Sequence, residues 1–353
     1  MGNFLDRCRA ALGGFLRLFN PLEWRRRGIV AGTVSALVAL AILLGAVGWW
    51  WSLEPDTFDV EQHATSVAEA NGQDRVVGYT TTVTLMRAAE TLLDKPGGYL
   101  YNDITPPSVF LDNMPSWEYG ALVQIRDLAR TMRNEISRSQ SQSRENEDLS
   151  QAEPRLNFDA NSWLFPSTEG EYRAALEYLT SYRDQLADPD ASGAQFYARA
   201  DNLREWLSIV EKRLGGIAQR LGASVGEWRA NVDLAGEPAA RQSTPTGADT
   251  AEQTPWLEID DEFYHARGAT WALLHFLRAV QIDFADVLAD KNAERSVEQV
   301  IRSLEATQRV MGSPVVLNGD GFGMLANHSL VMASYVSRAN AGIIDLRRLL
   351  EQG

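Results

Sequence analysis

The densest group of ionisable side chains begins just after position 256 and comprises Glu258, Asp260, Asp261, Glu262 and His265. Asp261 and His265 are four residues apart, so on a helix they share one face, a spacing that metal sites use. Crowded carboxylates also raise one another's pKa, which a general acid needs. The simpler interpretation is structural, because acidic residues in the first turn of a helix complement its dipole and cap free N–H groups.

A catalytic or metal site would need further ligands, and the other histidines are spread along the chain. His275 lies 10 residues after His265, roughly 80° away around a common helix. His328 falls in the last predicted helix, and His63 lies near the N-terminal apolar segment. A metal site therefore requires the fold to bring Asp261 and His265 to His275 or His328. Hydrogen-bonded structural histidines are the alternative. No nucleophile or cofactor motif is present, so we expect no cofactor.

A second candidate region is the aromatic, proline-containing stretch 96–119. Five aromatic side chains lie in it, namely Tyr99, Tyr101, Phe110, Trp117 and Tyr119. Such a connection between helices either packs over the end of a bundle or presents a groove for a ligand. We expect packing.

Residues 29–51 form a run of 23 residues without a charge. The elements that position the candidate residues all come after this run. A helix of this length reaches roughly 34 Å, enough to cross a hydrocarbon core of about 30 Å. Basic residues precede the run and tryptophans end it (Arg25, Arg26, Arg27, Trp49, Trp50 and Trp51). Because lysine and arginine stay cytoplasmic, we expect the N-terminus inside and the C-terminal domain outside. A cleaved signal peptide is the alternative, but the run is too long and the tryptophans replace the small residues of a cleavage site.

The membrane-proximal residues suggest two further contacts. Residues 3–19 have the spacing of an amphipathic helix, which would make residues 1–28 a basic segment on the inner membrane surface. Docking of this helix on a partner is the alternative. Within the span, Gly28, Gly32 and Ala36 recur at intervals of four residues. Small residues on one face let two membrane helices approach closely and would allow a homodimer through the span. The alternative is a chance pattern, which is common in apolar segments.

Charge divides the chain in the same way. Residues 1–28 carry six arginines against Asp6 and Glu23, a net charge of +4, whereas the whole chain carries −14 and the remainder therefore −18. So acidic a domain repels nucleic acid, which excludes DNA or RNA as a partner. The single cysteine, Cys8, lies on the inner side, so the outer domain is expected to fold without a disulfide.

Beyond the span the apolar period is helical almost everywhere. The clearest seam alternates steps of four and three residues, as side-by-side helices do, and it comprises Leu203, Leu207, Val210, Leu214, Ile217 and Leu221. We predict an all-α protein: an N-terminal amphipathic helix, one transmembrane helix and a bundle-like domain of about seven helices. Residues 235–255 are polar and proline-containing and predict a linker or long loop between helical regions 52–234 and 256–353, which form one domain or two.

Three segments together resemble a known family. They are residues 20–27 (NPLEWRRR), which lead into the span, residues 97–103 (GGYLYND) and residues 117–120 (WEYG). They are similar to a family of uncharacterised, membrane-anchored proteins of Gram-negative bacteria, known as a domain of unknown function. The resemblance implies an inner-membrane protein with a periplasmic domain. It implies no activity and no catalytic residues.

The function predicted from these features is that of a single-pass inner-membrane protein. Its acidic helical periplasmic domain would bind an envelope protein or a cell-wall component, without catalysis. The alternative is a periplasmic metal-dependent hydrolase that uses the cluster from Glu258 to His265. A ligand sensor is disfavoured, because the 28 residues before the span are too few for an output domain.

Overall fold

The computed structural model describes residues 21–138, 145–191, 193–230, 249–321 and 323–352. For residues 21–27, 29–30, 227–230 and 249–252 only the backbone is described. The predicted amphipathic helix at 3–19, Cys8 and residues 235–248 of the predicted linker lie outside these ranges. Close contacts divide the chain into two units. The N-terminal unit holds the first helix and Ile104–Leu111, and the second unit, here called the helical domain, comprises Glu54–Asp103 and Asp112–Gly353.

Helix α1 spans Pro21–Trp51 and changes direction at Gly28, whose φ of 84° and ψ of 161° are not helical. Its part from Ala31 to Trp51, 21 residues, is the one helix in the described ranges that is long and apolar enough to cross a membrane. Length and composition of this kind also suit a signal sequence. Because Gly28 lies at the break, it is out of helical register with Gly32 and Ala36. Self-association through this face stays a prediction.

The helical domain contains ten α-helices within the described ranges. They are α2 (Val60–Asn71), α3 (Tyr79–Asp94), α4 (Asn113–Thr131), α5 (Glu147–Leu156), α6 (Thr168–Ala187), α7 (Ala200–Gly222), α8 (Ile259–Asp283), α9 (Ala285–Asp290), α10 (Glu294–Thr307) and α11 (His328–Glu351). The all-α prediction is confirmed. The number exceeds the expected seven, because short helices such as α9 are too brief to show an apolar period.

The core of the domain includes the seam that the sequence predicts. All six residues of the α7 seam are buried, as are Ala121, Ile125 and Leu128 of α4. Helix α8 is central, since it contacts α4, α7, α10 and α11 and is buried on nearly all sides over its second half. Burial of apolar side chains on this scale supplies the main free energy that holds the helices together.

Two short strands lie near the predicted linker, and the second of them falls within it. Strand β1 (Glu227–Ala230) pairs with strand β2 (Asp249–Glu252) in antiparallel register. These two strands pair only with each other in the described ranges, so the helical core does not depend on a sheet. Residues 249–252 of the predicted linker form the second strand, and the division of the chain at 235–255 stays a prediction.

The start of α3 shows how α8 organises its neighbours. The residue before α3 is Gly78, which has no side chain to cap the free N–H groups of the first turn. Asp283, at the end of α8, supplies the cap instead and accepts hydrogen bonds from the backbone N–H and the hydroxyl of Thr81, both at 2.6 Å. Residues 79–83, whose composition also suits a strand, are helical, and this tertiary contact stabilises the first turn of the helix.

Candidate binding cleft

Helices α4 and α8 approach each other closely at two glycines. At Gly120 of α4, an added Cβ would lie 2.1 Å from the backbone oxygen of His265. At Gly268 of α8, an added Cβ would lie 1.8 Å from the backbone oxygen of Trp117. Real side chains do not tolerate such distances, so only glycine permits this approach. The contact sets the positions of the side chains that follow on the same faces of both helices.

A cleft of about 470 Å³ opens beside this contact, between α4, α7 and α8. This volume lies in the range of small-molecule sites. Asp261 and His265, which the sequence singled out, both line it, so the structure brings these two residues to one place. Ser116, Tyr119 and Gln124 of α4 form the facing wall.

The acidic side of the cleft is held by specific partners. Asp261 accepts a hydrogen bond from the hydroxyl of Ser116 at 2.9 Å. Burial raises the pKa of the Asp261 carboxyl, and the nearby carboxylates of Asp112, Asp260 and Glu258 raise it further, while Ser116 opposes the shift. The crowding expected from the sequence is therefore real, but desolvation is the larger cause.

His265 faces the same space as a neutral ring. Burial lowers its pKa to about 4, and the charges of Arg220 and Arg213 act in the same direction. Its ring lies 5.9 Å from the ring of Tyr119, and no hydrogen bond to the ring nitrogens is found among the described residues. At neutral pH such an imidazole offers a ligand one hydrogen-bond donor and one acceptor.

The opposite wall is basic and comes from α7. Lys212, Arg213 and Arg220 line the cleft there. Arg213 donates from Nε and Nη2 to both carboxylate oxygens of Asp127, at 2.6 and 3.0 Å, and Arg220 Nε donates to Glu262 at 2.7 Å. Within the described ranges Lys212 has neither an ion pair nor a hydrogen bond. Sequence reasoning passed over this wall, although the spacing of residues 212, 213, 216 and 220 places them along one helix face.

Two stacked tyrosines also line the cleft. The rings of Tyr101 and Tyr119 are stacked, with centroids 5.1 Å apart and an interplanar angle of 13°. Stretch 96–119 packs as expected in part, and that its exposed part binds a ligand stays a prediction. Tyr99, Leu100 and Trp117 are buried in the core, whereas Tyr101 and Tyr119 line the cleft.

A buried ion pair fixes the loop that carries Tyr101. Lys95 Nζ lies 2.6 Å from Glu118 Oε1, and the two side chains are only 2% and 0% exposed. Glu118 also accepts the backbone N–H groups of Leu100 at 3.0 Å and Tyr101 at 2.8 Å, and Lys95 donates to the backbone oxygen of Gly98 at 2.7 Å. Burial raises the pKa of Glu118 despite the opposing effect of Lys95, which marks the high cost of placing charge here.

The other histidines lie elsewhere. The ring of His275 is fully buried: its Nδ1 donates to the Trp271 backbone oxygen at 2.7 Å, and its Nε2 accepts the N–H of Phe58 at 3.0 Å. His328 Nδ1 accepts the N–H of Leu317 at 3.1 Å. The four predicted metal ligands are thus divided among three places. Among the described residues no three histidine, cysteine, aspartate or glutamate side chains are grouped as metal ligands would be.

His275 belongs instead to a clamp between α8 and the segment that follows α1. Arg267 Nη2 donates to Glu54 Oε2 at 2.6 Å, Trp271 Nε1 donates to the Asp56 backbone oxygen at 3.2 Å, and the third contact is that of His275. Four residues of helix rise about 6 Å, and two residues of extended chain cover about 6.6 Å. Because these two lengths are similar, side chains four residues apart on α8 can contact residues 54, 56 and 58 one after another.

The clamp predicts acid sensitivity. Burial lowers the pKa of His275 to about 4, further lowered by Arg278 and partly opposed by its bond to Trp271. Unfolding restores an ordinary pKa of about 6.5, so the unfolded chain binds the proton more tightly and stability falls as the pH drops from about 6.5 towards 4. We expect the His275 contribution to the free energy of unfolding to decrease by about 2 to 3 kcal/mol across this window.

Comparison with the His275→Gln variant measures this contribution, because glutamine keeps a donor and an acceptor but does not titrate. Wild type should be the more stable protein at pH 7.5, and its advantage should narrow by about 2 to 3 kcal/mol by pH 4.5 in denaturation followed by circular dichroism. Buried carboxyls such as Asp283, whose pKa burial raises, affect both proteins equally. Parallel pH profiles of the two proteins would contradict the prediction.

Comparison with known proteins gives one match. A family model described as an uncharacterized protein conserved in bacteria (DUF2333) matches residues 24–353, nearly the whole chain. No curated protein and no solved structure matches the chain. The family resemblance inferred from the three sequence segments is confirmed. The family description names neither an activity nor a membrane anchor.

Proposed function

The chain belongs to the DUF2333 family, which is conserved in bacteria, and from this premise we propose that it is a single-pass inner-membrane protein whose helical domain binds a cell-wall fragment in the cleft between α4, α7 and α8. The ligand class is an anionic molecule that carries sugar rings, such as a disaccharide with a carboxylate-bearing peptide. The domain acts as a binding module and carries out no reaction of its own.

The membrane part of the proposal rests on α1. Its 21-residue apolar segment rises about 31 Å as a helix, the thickness of a hydrocarbon core. Three arginines precede it and three tryptophans end it, which favours an uncleaved anchor with the N-terminus in the cytoplasm and the helical domain in the periplasm. In that compartment the cell wall is the neighbouring polymer.

The observation that carries the ligand proposal is that the cations of α7 line the same cleft as the stacked Tyr101 and Tyr119. The chain outside its N-terminal segment is strongly acidic, so a cation without a carboxylate partner stands out as a place for an anion. Arg213 and Arg220 are paired with carboxylates, so among the described residues of this wall Lys212 is the cation left to meet the ligand. The tyrosine faces offer apolar surface to a sugar ring, and Ser116, Gln124 and His265 offer hydrogen bonds to its hydroxyls.

Binding is better supported than metal-dependent hydrolysis. The hydrolase alternative requires His275 or His328 beside Asp261 and His265. Neither histidine lines the cleft, and each uses ring nitrogens in hydrogen bonds within the fold. Asp261 and His265 are available in the cleft as hydrogen-bonding groups for a bound ligand.

Calorimetric titration with a purified disaccharide-peptide of the cell wall tests the proposal. We expect saturable binding that Lys212→Glu weakens by at least about tenfold, the equivalent of about 1.4 kcal/mol. The matched control is Arg295→Glu, which makes the same charge change on α10 at a side chain that is 88% exposed. Tyr119→Ala should weaken binding of the disaccharide-peptide but not of the free peptide.

Two results would contradict this function. Equal losses in Lys212→Glu and Arg295→Glu would mean that the ligand responds to net charge and not to the cleft. Equal affinity for the peptide with and without its sugars would remove the glycan from the ligand class. Circular dichroism melting curves establish that each variant is folded before it is titrated.

A further inference from the structure

Residues 104–111 (ITPPSVFL) form an apolar loop that belongs to the N-terminal unit and not to the helical domain that precedes and follows it. The loop contains no charged residue, and an aspartate borders it on each side, Asp103 and Asp112. A short 3₁₀ turn, Ser108–Phe110, forms its tip. Three apolar side chains in it are turned outward: Ile104 is 58%, Val109 53% and Phe110 76% exposed.

The loop packs against α1 near its C-terminal end. A Cβ added at Gly48 would lie 3.5 Å from Cβ of Pro107 and 3.7 Å from Cδ2 of Leu111. Gly48 precedes Trp51 by three residues, which is about 4.5 Å along the helix axis. The contact therefore lies at the level where Trp49, Trp50 and Trp51 end the apolar helix. Tryptophans of a membrane helix concentrate at the border between hydrocarbon and headgroups.

The backbone of the loop is suited to an environment poor in water. The N–H groups of Val109, Phe110 and Leu111 are bonded to backbone oxygens within the loop, at 3.2, 3.0 and 2.8 Å. Pro106 and Pro107 have no N–H to satisfy. Irregular chain enters the apolar part of a bilayer only where such groups are paired.

From these observations we propose that residues 104–111 insert into the membrane beside α1 as a second point of attachment, with Ile104, Val109 and Phe110 among the lipids at the level of the tryptophans. This inference rests on the proposed membrane anchor. The partner is the lipid itself, at the boundary between headgroups and acyl chains. Because the loop has no basic residue and aspartates border it, attachment should depend on apolar burial and not on anionic lipid.

Depth-dependent fluorescence quenching in liposomes tests the inference on the full chain. With Cys8→Ser as background, Val109→Cys receives an environment-sensitive dye, and phosphatidylethanolamine–phosphatidylglycerol vesicles carry a spin-labelled lipid quencher. The matched control is Leu164→Cys in the helical domain. Leu164 is 58% exposed and, like Val109, precedes an exposed phenylalanine, Phe165 at 99%.

We expect quenching of the dye at position 109 to exceed that at position 164 by at least about twofold, because lipid-bound quenchers act only on probes inside the bilayer border. Phe110→Asp should abolish this excess, and a higher phosphatidylglycerol fraction should leave it unchanged. Equal quenching at 109 and 164 would overturn the inference, and so would quenching that requires anionic lipid. A blue-shifted but unquenched dye at 109 would also overturn it and would assign the loop to a protein partner or a second copy.

A third labelled position separates this inference from the anchor on which it rests. The dye at Trp49→Cys reports insertion of α1 itself. Quenching at 49 without quenching at 109 would overturn the loop inference and leave the anchor intact. The absence of quenching at both positions would contradict the membrane anchor proposed above.

Discussion

Gly268→Ala is expected to destabilise the helical domain by at least about 3 kcal/mol, although alanine is intrinsically the better helix former by about 1 kcal/mol. The added methyl group would lie 1.8 Å from the backbone oxygen of Trp117. A backbone atom cannot rotate away as a side chain does, so α4 and α8 must separate. Separation opens space around a core that was closely packed, and the loss of dispersion contacts adds to the strain.

The control for this substitution is Gly215→Ala, in the interior of α7. A Cβ at Gly215 meets only the side-chain nitrogen of Asn340, at 3.7 Å, an ordinary contact. We expect Gly215→Ala to stabilise the domain by up to about 1 kcal/mol. Urea denaturation of both variants measures the difference. A stabilising Gly268→Ala would contradict the close approach of the two helices.

Gly120→Ala reports on the same contact from the other helix, since its Cβ would lie 2.1 Å from the oxygen of His265. Both substitutions separate the same pair of helices. The loss of stability in the double variant should therefore be smaller than the sum of the losses in the two single variants. Separation also moves Ser116 and Tyr119 away from Asp261 and His265. Variants that remain folded should therefore lose affinity for the cleft ligand.

Glu118→Ala is expected to reduce the free energy of unfolding by about 3 to 5 kcal/mol. The substitution leaves the Lys95 ammonium buried without its carboxylate and leaves the backbone N–H groups of Leu100 and Tyr101 without an acceptor. Each unsatisfied buried group carries a desolvation penalty of its own. Removal of the exposed Arg295 side chain, which pairs with Glu298 on the surface, should cost less than about 1 kcal/mol.

A double-variant cycle separates the charge from the hydrogen bonds. Glu118→Gln keeps an acceptor for Leu100 and Tyr101 but removes the negative charge, and Lys95→Met removes the positive charge. Each single variant leaves one buried charge unpaired, whereas the double variant leaves none. We expect the double variant to be more stable than Glu118→Gln alone, as measured by urea denaturation. Strictly additive losses would show that the pair acts only through separate hydrogen bonds.

Both predictions bear on the binding cleft. The glycine contact sets the distance between α4 and α8, and the ion pair fixes the loop that delivers Tyr101. Neither Gly268 nor Glu118 lines the cleft, so their effect on ligand binding would pass through the fold. Lys212→Glu, by contrast, should change affinity without a change in stability.

The α-helical class and the apolar segment of α1 follow from the sequence alone. Apolar periodicity reflects one-sided burial of a helix, which is a local property, so the α7 seam identifies its buried residues correctly. Family membership was also readable from three short segments, because such segments are contiguous in the chain. The orientation of the protein in a membrane remains a prediction.

The composition of the candidate site depends on contacts that are distant in sequence. Asp261 and His265 were found because they are neighbours on one helix. The basic wall of the cleft lies on another helix, α7, and comprises Lys212, Arg213 and Arg220. Only the packing of α7 beside α8 brings this wall into the same cleft as Asp261 and His265. Likewise, the sequence offered His275 as a metal ligand. In the structure its Nε2 accepts a hydrogen bond from the backbone N–H of Phe58, 217 residues away in the sequence.

The spacing of apolar residues along the chain determined which helix faces are buried, since burial requires only that one face of the helix be apolar. Only the tertiary structure determines which buried faces meet. Three contacts show this: the close approach at Gly120 and Gly268, the cap that Asp283 provides for α3, and the Lys95–Glu118 ion pair. Each joins groups that lie far apart in the sequence, so the sequence pattern does not reveal that they interact. A glycine within a helix reads in sequence as a weakness of about 1 kcal/mol. In the folded protein the absence of a side chain at such a glycine allows the backbones of two helices to come into contact.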